Sequence, residues 1–123
     1  MVNEILKNSE TPPIIVIQGD HGPASTATDH LSRLTGHDHD HGDSTWVENP
    51  TNNMIKERTR ILNAYYLPSG GNRLLYDSIT PVNTFRLIFN YYFNTNYELL
   101  DDSTYWSSYH QPFKFLNVTD RMN

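Results

Sequence analysis

The sequence predicts an α/β fold, and three observations carry that expectation. Ile14-Ile15-Val16-Ile17 is an unbroken run dominated by β-branched residues, stopped abruptly by Gly19-Asp20-His21-Gly22-Pro23. Arg60 to Leu67 is a second strand candidate, closed by Pro68-Ser69-Gly70-Gly71. From Thr80 onward Val82, Phe85, Phe89 and Tyr92 recur at spacings of three and four, the pattern of an amphipathic helix.

Taken in chain order, Val2, Ile5 and Leu6 share one helical face, and Pro12-Pro13 lies beyond the polar stretch that ends it, so residues 2 to 8 read as a helix end. The Ile14 to Ile17 run has no polar alternation, which suits a strand buried on both faces of a parallel sheet. Residues 25 to 53 lack sustained periodicity and are rich in Ser, Thr, Asp, His, Gly and Asn, so a long polar, flexible loop is expected there, with a short helix over Met54 to Arg58 after it. Thr80-Pro81 is a helix start, a capping hydroxyl followed by proline at the first helical position, and the helix is expected to run to about Phe93, with Asn94-Thr95-Asn96 ending it. The remainder scatters Tyr97, Tyr105, Trp106, Tyr109, Phe113 and Phe115 among polar residues, as a tail packed over a larger body would. At 123 residues the chain holds one domain rather than two.

Composition removes several function classes. A net charge of -5 with nine Lys and Arg leaves no basic footprint for a phosphate backbone, so nucleic acid is not an expected partner. The absence of cysteine excludes disulfides, a thiolate nucleophile and Cys-ligated zinc within these residues. The apolar run at Ile14 falls far short of the roughly 20 residues that span a bilayer, and no membrane segment is expected in this chain.

Asp20 and His21 close the first strand candidate. A carboxylate and an imidazole at the carboxyl end of a buried strand stand where open α/β sheets place their ligands. The flanking Gly19 and Gly22 let backbone approach an ion or a phosphate, and an Asp with a His suits a borderline divalent metal such as Zn²⁺ or Mn²⁺ better than Ca²⁺. The same dipeptide also serves as an ordinary strand-to-loop turn, and on spacing alone both readings stand.

Pro13 to Pro23 (PIIVIQGDHGP) resembles the late metal-binding strand of the alkaline phosphatase and sulfatase superfamily. Arg60 to Pro68 (RILNAYYLP), Ile79 to Asn90 (ITPVNTFRLIFN) and Tyr97 to Leu100 (YELL) follow in the order of the C-terminal regions of its sulfatase-like, often membrane-associated members. The resemblance spans most of residues 12 to 120 apart from Ser25 to about Asn53. It implies that residues 1 to 123 form a single partial domain, the C-terminal part of an alkaline phosphatase-like three-layer fold. Asp20 and His21 would be ligands of a catalytic divalent metal. The nucleophile and further metal-binding carboxylates would come from the N-terminal part of the same catalytic domain, the expected partner of this chain. The implied substrate is a phosphate or sulfate ester. Sulfatases proper tend toward Asp-Asn and Ca²⁺ at this point, whereas Asp-His is closer to phosphatases, phosphodiesterases and phosphoglycerol transferases. The implied chemistry is attack on phosphorus or sulfur by a metal-activated hydroxyl.

Other candidates carry less. His37, His39 and His41 alternate with Asp and would share one face of an extended segment, able to take a transition metal without a formed pocket. They supply the alternative function, a non-catalytic metal-binding or interaction protein that captures metal on the His-rich loop and a partner on the aromatic tail. His30 and His110 stand alone. Arg58, Arg60, Arg73 and Arg86 can face an anionic substrate, though an Arg on a helix is more often paired at the surface. The cluster from Phe85 to Phe93 is expected to be core or interface, being too apolar for an isolated helix. Ser25, Thr26 and Thr28 follow the ligand pair in the flexible loop, with no base expected nearby except the ligands themselves.

Overall fold

The computed structural model of the chain describes residues 1–23, 25, 47–108 and 110–122. The element order is α1 (Val2–Asn8), β1 (Ile15–Gln18), α2 (Asn52–Thr59), β2 (Asn63–Tyr66), α3 (Pro81–Phe93), β3 (Tyr105–Ser108) and β4 (Gln111–Asn117), with short 3-10 turns at Gly71–Leu74 and Thr119–Arg121. These residues form a mixed helix and strand fold with two antiparallel sheets of two strands each. Two compact units account for the chain, one from Met1–Gln18 and Asn63–Asp102, the other from Gly19–Leu62 and Ser103–Asn123.

In the first unit β1 pairs with β2, Ile15 opposite Tyr66 and Gln18 opposite Asn63. The Gln18 amide nitrogen donates to Asn63 Oδ1 at 3.1 Å, tying the end of the ladder. The pairing is antiparallel, where the unbroken apolar run predicts a parallel neighbour, and no β1 residue is fully buried. A strand of a two-stranded sheet has one paired edge, and its other edge has no strand partner among the described residues. After β2 the chain reverses at Pro68-Ser69-Gly70-Gly71, with Gly71 N–H donating to Pro68 O at 3.1 Å. Ser69 and Gly70 hold φ of 54° and 89°, and two successive positive φ values are what a mirror-image tight turn needs. Gly is the residue that takes such a φ without steric cost.

Helix α3 starts and stops where Thr80-Pro81 and Asn94 predict, and Asn94 adopts the left-handed conformation (φ 52°) that ends helices. Its buried residues are Asn83, Thr84 and Ile88, while Val82, Phe85, Phe89 and Phe93 form an exposed stripe. The inward face is selected by polar pairing. Asn83 Oδ1 accepts from Leu100 N–H (3.0 Å) and its amide donates to Leu100 O (2.7 Å). Asn90 makes the same two bonds to Tyr97, at 2.7 and 2.8 Å. Seven helical residues rise about 10.5 Å, and three extended residues advance about 10 Å, so the two amides match two rungs of an extended strap. The strap continues to Asp102, which accepts from Thr80 N–H (2.8 Å), Thr80 Oγ1 (2.6 Å) and the Tyr76 hydroxyl. The Thr80 hydroxyl therefore donates to a carboxylate rather than accepting from the helix's own first turn.

In the second unit Val47, Met54, Ile55, Trp106 and Val118 make the core, with Met122 packed against it. Ile55 and Val118 are wholly inaccessible, and burying such a side chain contributes about 1.5–3 kcal/mol. Thr51 caps α2 by accepting from Met54 N–H at 3.3 Å. Trp106 is placed by its indole N–H, which donates to Val47 O at 2.8 Å. The C-terminal end returns to the start of α2, Arg121 donating to Asn52 Oδ1 (2.9 Å) and Pro50 O (2.7 Å). The aromatic tail expected after Asn96 contains the β3–β4 hairpin, with Tyr105 opposite Asn117 and an irregularity between Trp106 and Ser108. Every residue of β4 is exposed, Phe113 at 90%. Of the loop expected over 25 to 53, residues 26–46 lie outside the described residues. Its far end is built into the unit, Val47 in the core and Asn52-Asn53 in α2.

Two outcomes follow. Asn83→Ala removes both bonds to Leu100 and is expected to cost about 2 kcal/mol, read as a lowered urea midpoint. The same change at the more exposed Asn90 costs less, and equal costs would show that the buried rung has no special weight. Burial tends to raise the Asp102 pKa, but the bonds from Thr80 and Tyr76 outweigh it and hold the carboxyl below its usual value. The Tyr76 hydroxyl is pushed up, chiefly by its bond to Asp102 and then by burial. A depressed folded-state carboxyl stabilises above its unfolded pKa, about 3.9, and that contribution disappears as pH falls through the lower folded value. Acid unfolding of Asp102→Asn should accordingly be less steep below about pH 4 than that of the wild type; superimposable profiles would contradict the role.

Candidate metal-ligand corner at Asp20 and His21

Gly22 sets the geometry here. Its N–H donates to Arg58 O at 2.7 Å, satisfying one of the carbonyls that the last turn of α2 leaves unpaired. A Cβ on residue 22 would collide with the carbonyl oxygen of Glu57 and stand 2.9 Å from that of Arg60. Only glycine lets the chain come this close to the helix end. Gly19 N–H also donates to Leu62 O at 2.8 Å, so both ends of the Gly19–Gly22 turn are held by backbone.

Between them Asp20 and His21 turn toward each other. Asp20 Oδ1 accepts from His21 N–H at 2.9 Å, and Asp20 Oδ2 lies 3.5 Å from His21 Nε2. The side chains are 88% and 50% exposed respectively. Two ligands on a tetrahedral ion with metal bonds of about 2.0–2.1 Å are separated by about 3.3 Å, so the pair is spaced to share one small divalent ion. Its donor chemistry, one carboxylate oxygen and one imidazole nitrogen, suits Zn²⁺ or Mn²⁺ better than the all-oxygen shell preferred by Ca²⁺. No group of three His, Cys, Asp or Glu suited to one ion occurs among the described residues. The corner brings together one carboxylate and one imidazole.

Its remaining members come from α2. Arg58 Nη1 lies 2.6 Å from His21 Nδ1 and donates to Gly22 O at 3.0 Å. One residue earlier, Glu57 accepts a hydrogen bond from the Ser25 hydroxyl, so Ser25 has a carboxylate beside it other than the ligand pair, contrary to the expectation. No hydrogen bond joins Ser25 to Asp20 or His21 among the described residues. Spacing contained a signal for Arg58, because it follows the buried Met54 and Ile55 by four and three residues and so begins on their side of the helix. The partner it meets is distant in sequence and was not legible.

The other candidates are placed elsewhere. Arg60 donates to Met122 O (3.2 Å). Arg86 donates to Glu98 O (2.9 Å) and lies 6.0 Å from the centre of the Tyr97 ring, the paired surface role expected of a helical Arg. His110 is exposed beside the start of β4. Thr26, Thr28, His30, His37, His39 and His41 lie outside the described residues. No described helix is long and apolar enough to cross a membrane.

Gly22→Ala should displace the Asp20-His21 turn from α2, at a cost of about 1–3 kcal/mol or more. The measurement is thermal unfolding together with the amide resonances of Asp20 and His21. Wild-type stability with unmoved resonances would show that the close approach does not hold the corner.

No protein-family model, curated protein or solved structure matches the chain.

Proposed function

We propose that this chain is a segment of a metal-dependent hydrolase or transferase of the alkaline phosphatase and sulfatase superfamily, acting on phosphate or sulfate esters. In this reading it contributes Asp20 and His21 to a divalent metal site, Zn²⁺ or Mn²⁺ rather than Ca²⁺. The observation that carries the proposal is the 3.5 Å separation of Asp20 Oδ2 and His21 Nε2 directly after a strand. The edge of β1 without a described strand partner gives a place for the parallel neighbour of an alkaline phosphatase-like sheet. The exposed Val82, Phe85, Phe89 and Phe93 stripe is the kind of surface that the rest of such a domain would cover.

A bound metal would supply Lewis acidity toward an ester oxygen and favour the deprotonated form of a hydroxyl. The contribution of these residues is positional. The Gly19–Gly22 turn presents two donors to one side, and Arg58 adds a cation next to them, suited to an anionic ester. Nucleophile and further ligands would come from the upstream part of the domain.

A second reading, a non-catalytic metal-binding or interaction protein, is supported by the same apolar stripe and by the exposed Phe113 and Phe115 on β4. The two readings part on metal dependence. Under the first, zinc or manganese binding is lost in Asp20→Ala and survives replacement of His37, His39 and His41; under the second the losses are reversed.

Purified residues 1 to 123 should turn over neither an aryl phosphate, an aryl phosphodiester nor an aryl sulfate with Zn²⁺ or Mn²⁺ added. Catalytic zinc typically has about three protein ligands, and two leave the ion weakly held. Metal-dependent turnover that vanishes in Asp20→Ala would show a complete site within this chain and overturn the segment reading.

A further inference from the structure

The geometry points to Arg58 as a lock on His21, holding the imidazole in the tautomer that cannot accept a metal until the guanidinium moves away. The inference rests on the proposed metal-ligand role of Asp20 and His21, and it concerns when that pair becomes competent.

His21 Nδ1 has two close neighbours with incompatible demands. Gly22 O, at 2.9 Å, can only accept, so a bond with it requires a proton on Nδ1. Arg58 Nη1, at 2.6 Å, can only donate, so a bond with it requires a lone pair on Nδ1. One arrangement satisfies all three groups. Nη1 carries two hydrogens and gives one to Nδ1 and the other to Gly22 O, 3.0 Å away. The ring proton then resides on Nε2, the nitrogen that faces Asp20 Oδ2. With the proton on Nδ1 instead, two donors would confront each other at 2.6 Å.

Metal-ligating histidines have the opposite arrangement. The ligating nitrogen offers its lone pair, and the other donates N–H to a carbonyl or a carboxylate, which fixes the ring and raises its basicity. Gly22 O stands in place for that second role, because the approach of residue 22 to α2 holds its backbone. Release of Arg58 lets the ring proton reside on Nδ1, donating to Gly22 O, and presents the Nε2 lone pair beside the Asp20 carboxylate. The freed guanidinium, a fixed cation with a planar fork of donors, is then available to an anionic ester at the same corner. Metal loading and anion recognition are in this way linked through one side chain: a metal cannot take Nε2 while Arg58 holds Nδ1.

The test uses residues 1 to 123 with His37, His39 and His41 replaced by Asn, so that the tract captures no metal, and compares this parent with Arg58→Met, Arg58→Lys and Asp20→Ala. Methionine keeps helix propensity and much of the apolar stem, and the Gly22 N–H bond to the Arg58 carbonyl needs no side chain. The first readout is the pair of ring ¹⁵N shifts of His21 without metal, at about pH 8, where imidazole is ordinarily neutral. The parent and Arg58→Lys should show an unprotonated Nδ1, and Arg58→Met should move toward a protonated Nδ1. The second readout is calorimetric titration with Zn²⁺ alone. Arg58→Met should bind on the order of tenfold more tightly than the parent, the worth of one competing charge-assisted hydrogen bond. Arg58→Lys should stay near the parent.

A parent already protonated on Nδ1 overturns the lock. So does Asp20-dependent zinc binding that is indifferent to Arg58→Met, or that tightens with no change of tautomer, which would be the effect of charge alone. Zinc binding that is absent from every protein, or that persists in Asp20→Ala, overturns instead the metal reading on which the lock rests.

Discussion

The close approach of Gly22 to the last turn of α2 is the constraint on which the candidate site depends. A helix leaves its final carbonyls unpaired and carries partial negative charge at that end. Gly22 N–H meets one of those carbonyls, that of Arg58, and the space beside it has no room for a side chain. With residue 22 held there, His21 lies against the Arg58 side chain and Asp20 folds back over His21 N–H. The corner is therefore a property of a backbone contact as much as of the two residues that give it donor chemistry. Arg58 itself belongs to the last helical turn, where a cation also complements the helix end.

The other unit is organised by amide side chains rather than by an apolar face. Asn83 and Asn90 each offer a donor and an acceptor to one residue of the strap from Tyr97 to Leu100, doing for that segment what a neighbouring strand would do. Because Asn83 is fully buried, the inward side of α3 is settled by the requirement that its amide be paired. The aromatic residues that give the helix its periodicity are consequently left on the outside. Their rings pack along the helix, Phe85 with Phe89 at 6.3 Å and Phe89 with Phe93 at 5.8 Å between centroids. Such a stripe is costly to leave in water, which accords with the proposal that a larger body covers it.

In the proposed reading, Asp20 and His21 are half of a metal site. That reading would have one carboxylate and one imidazole take a cation, while Arg58, beside His21, would face an anion. As proposed, the metal would lie at the ligand pair and the ester next to the guanidinium. The lock described for Arg58 gives the order in which they are served, since one nitrogen of His21 cannot accept from Arg58 and donate to Gly22 O at once.

Local chemistry was legible in the sequence wherever a residue's own conformational limits decide the structure. Proline at the start of α3, Asn94 at its end, the Pro68 to Gly71 reversal and the β-branched run of β1 all specify backbone geometry without reference to distant partners. The closeness of the Asp20 and His21 side chains was legible for the same reason, as adjacent residues set in a glycine turn. Tertiary structure alone decided the antiparallel partner of β1, because an apolar run has the same composition whichever strand lies beside it. It decided also that Asn83, and not the aromatic stripe, faces inward, since pairing a buried amide depends on a segment seventeen residues away. And it decided that Arg58 and Ser25-Glu57 join the corner, contacts that span more than thirty residues and leave no periodicity to read.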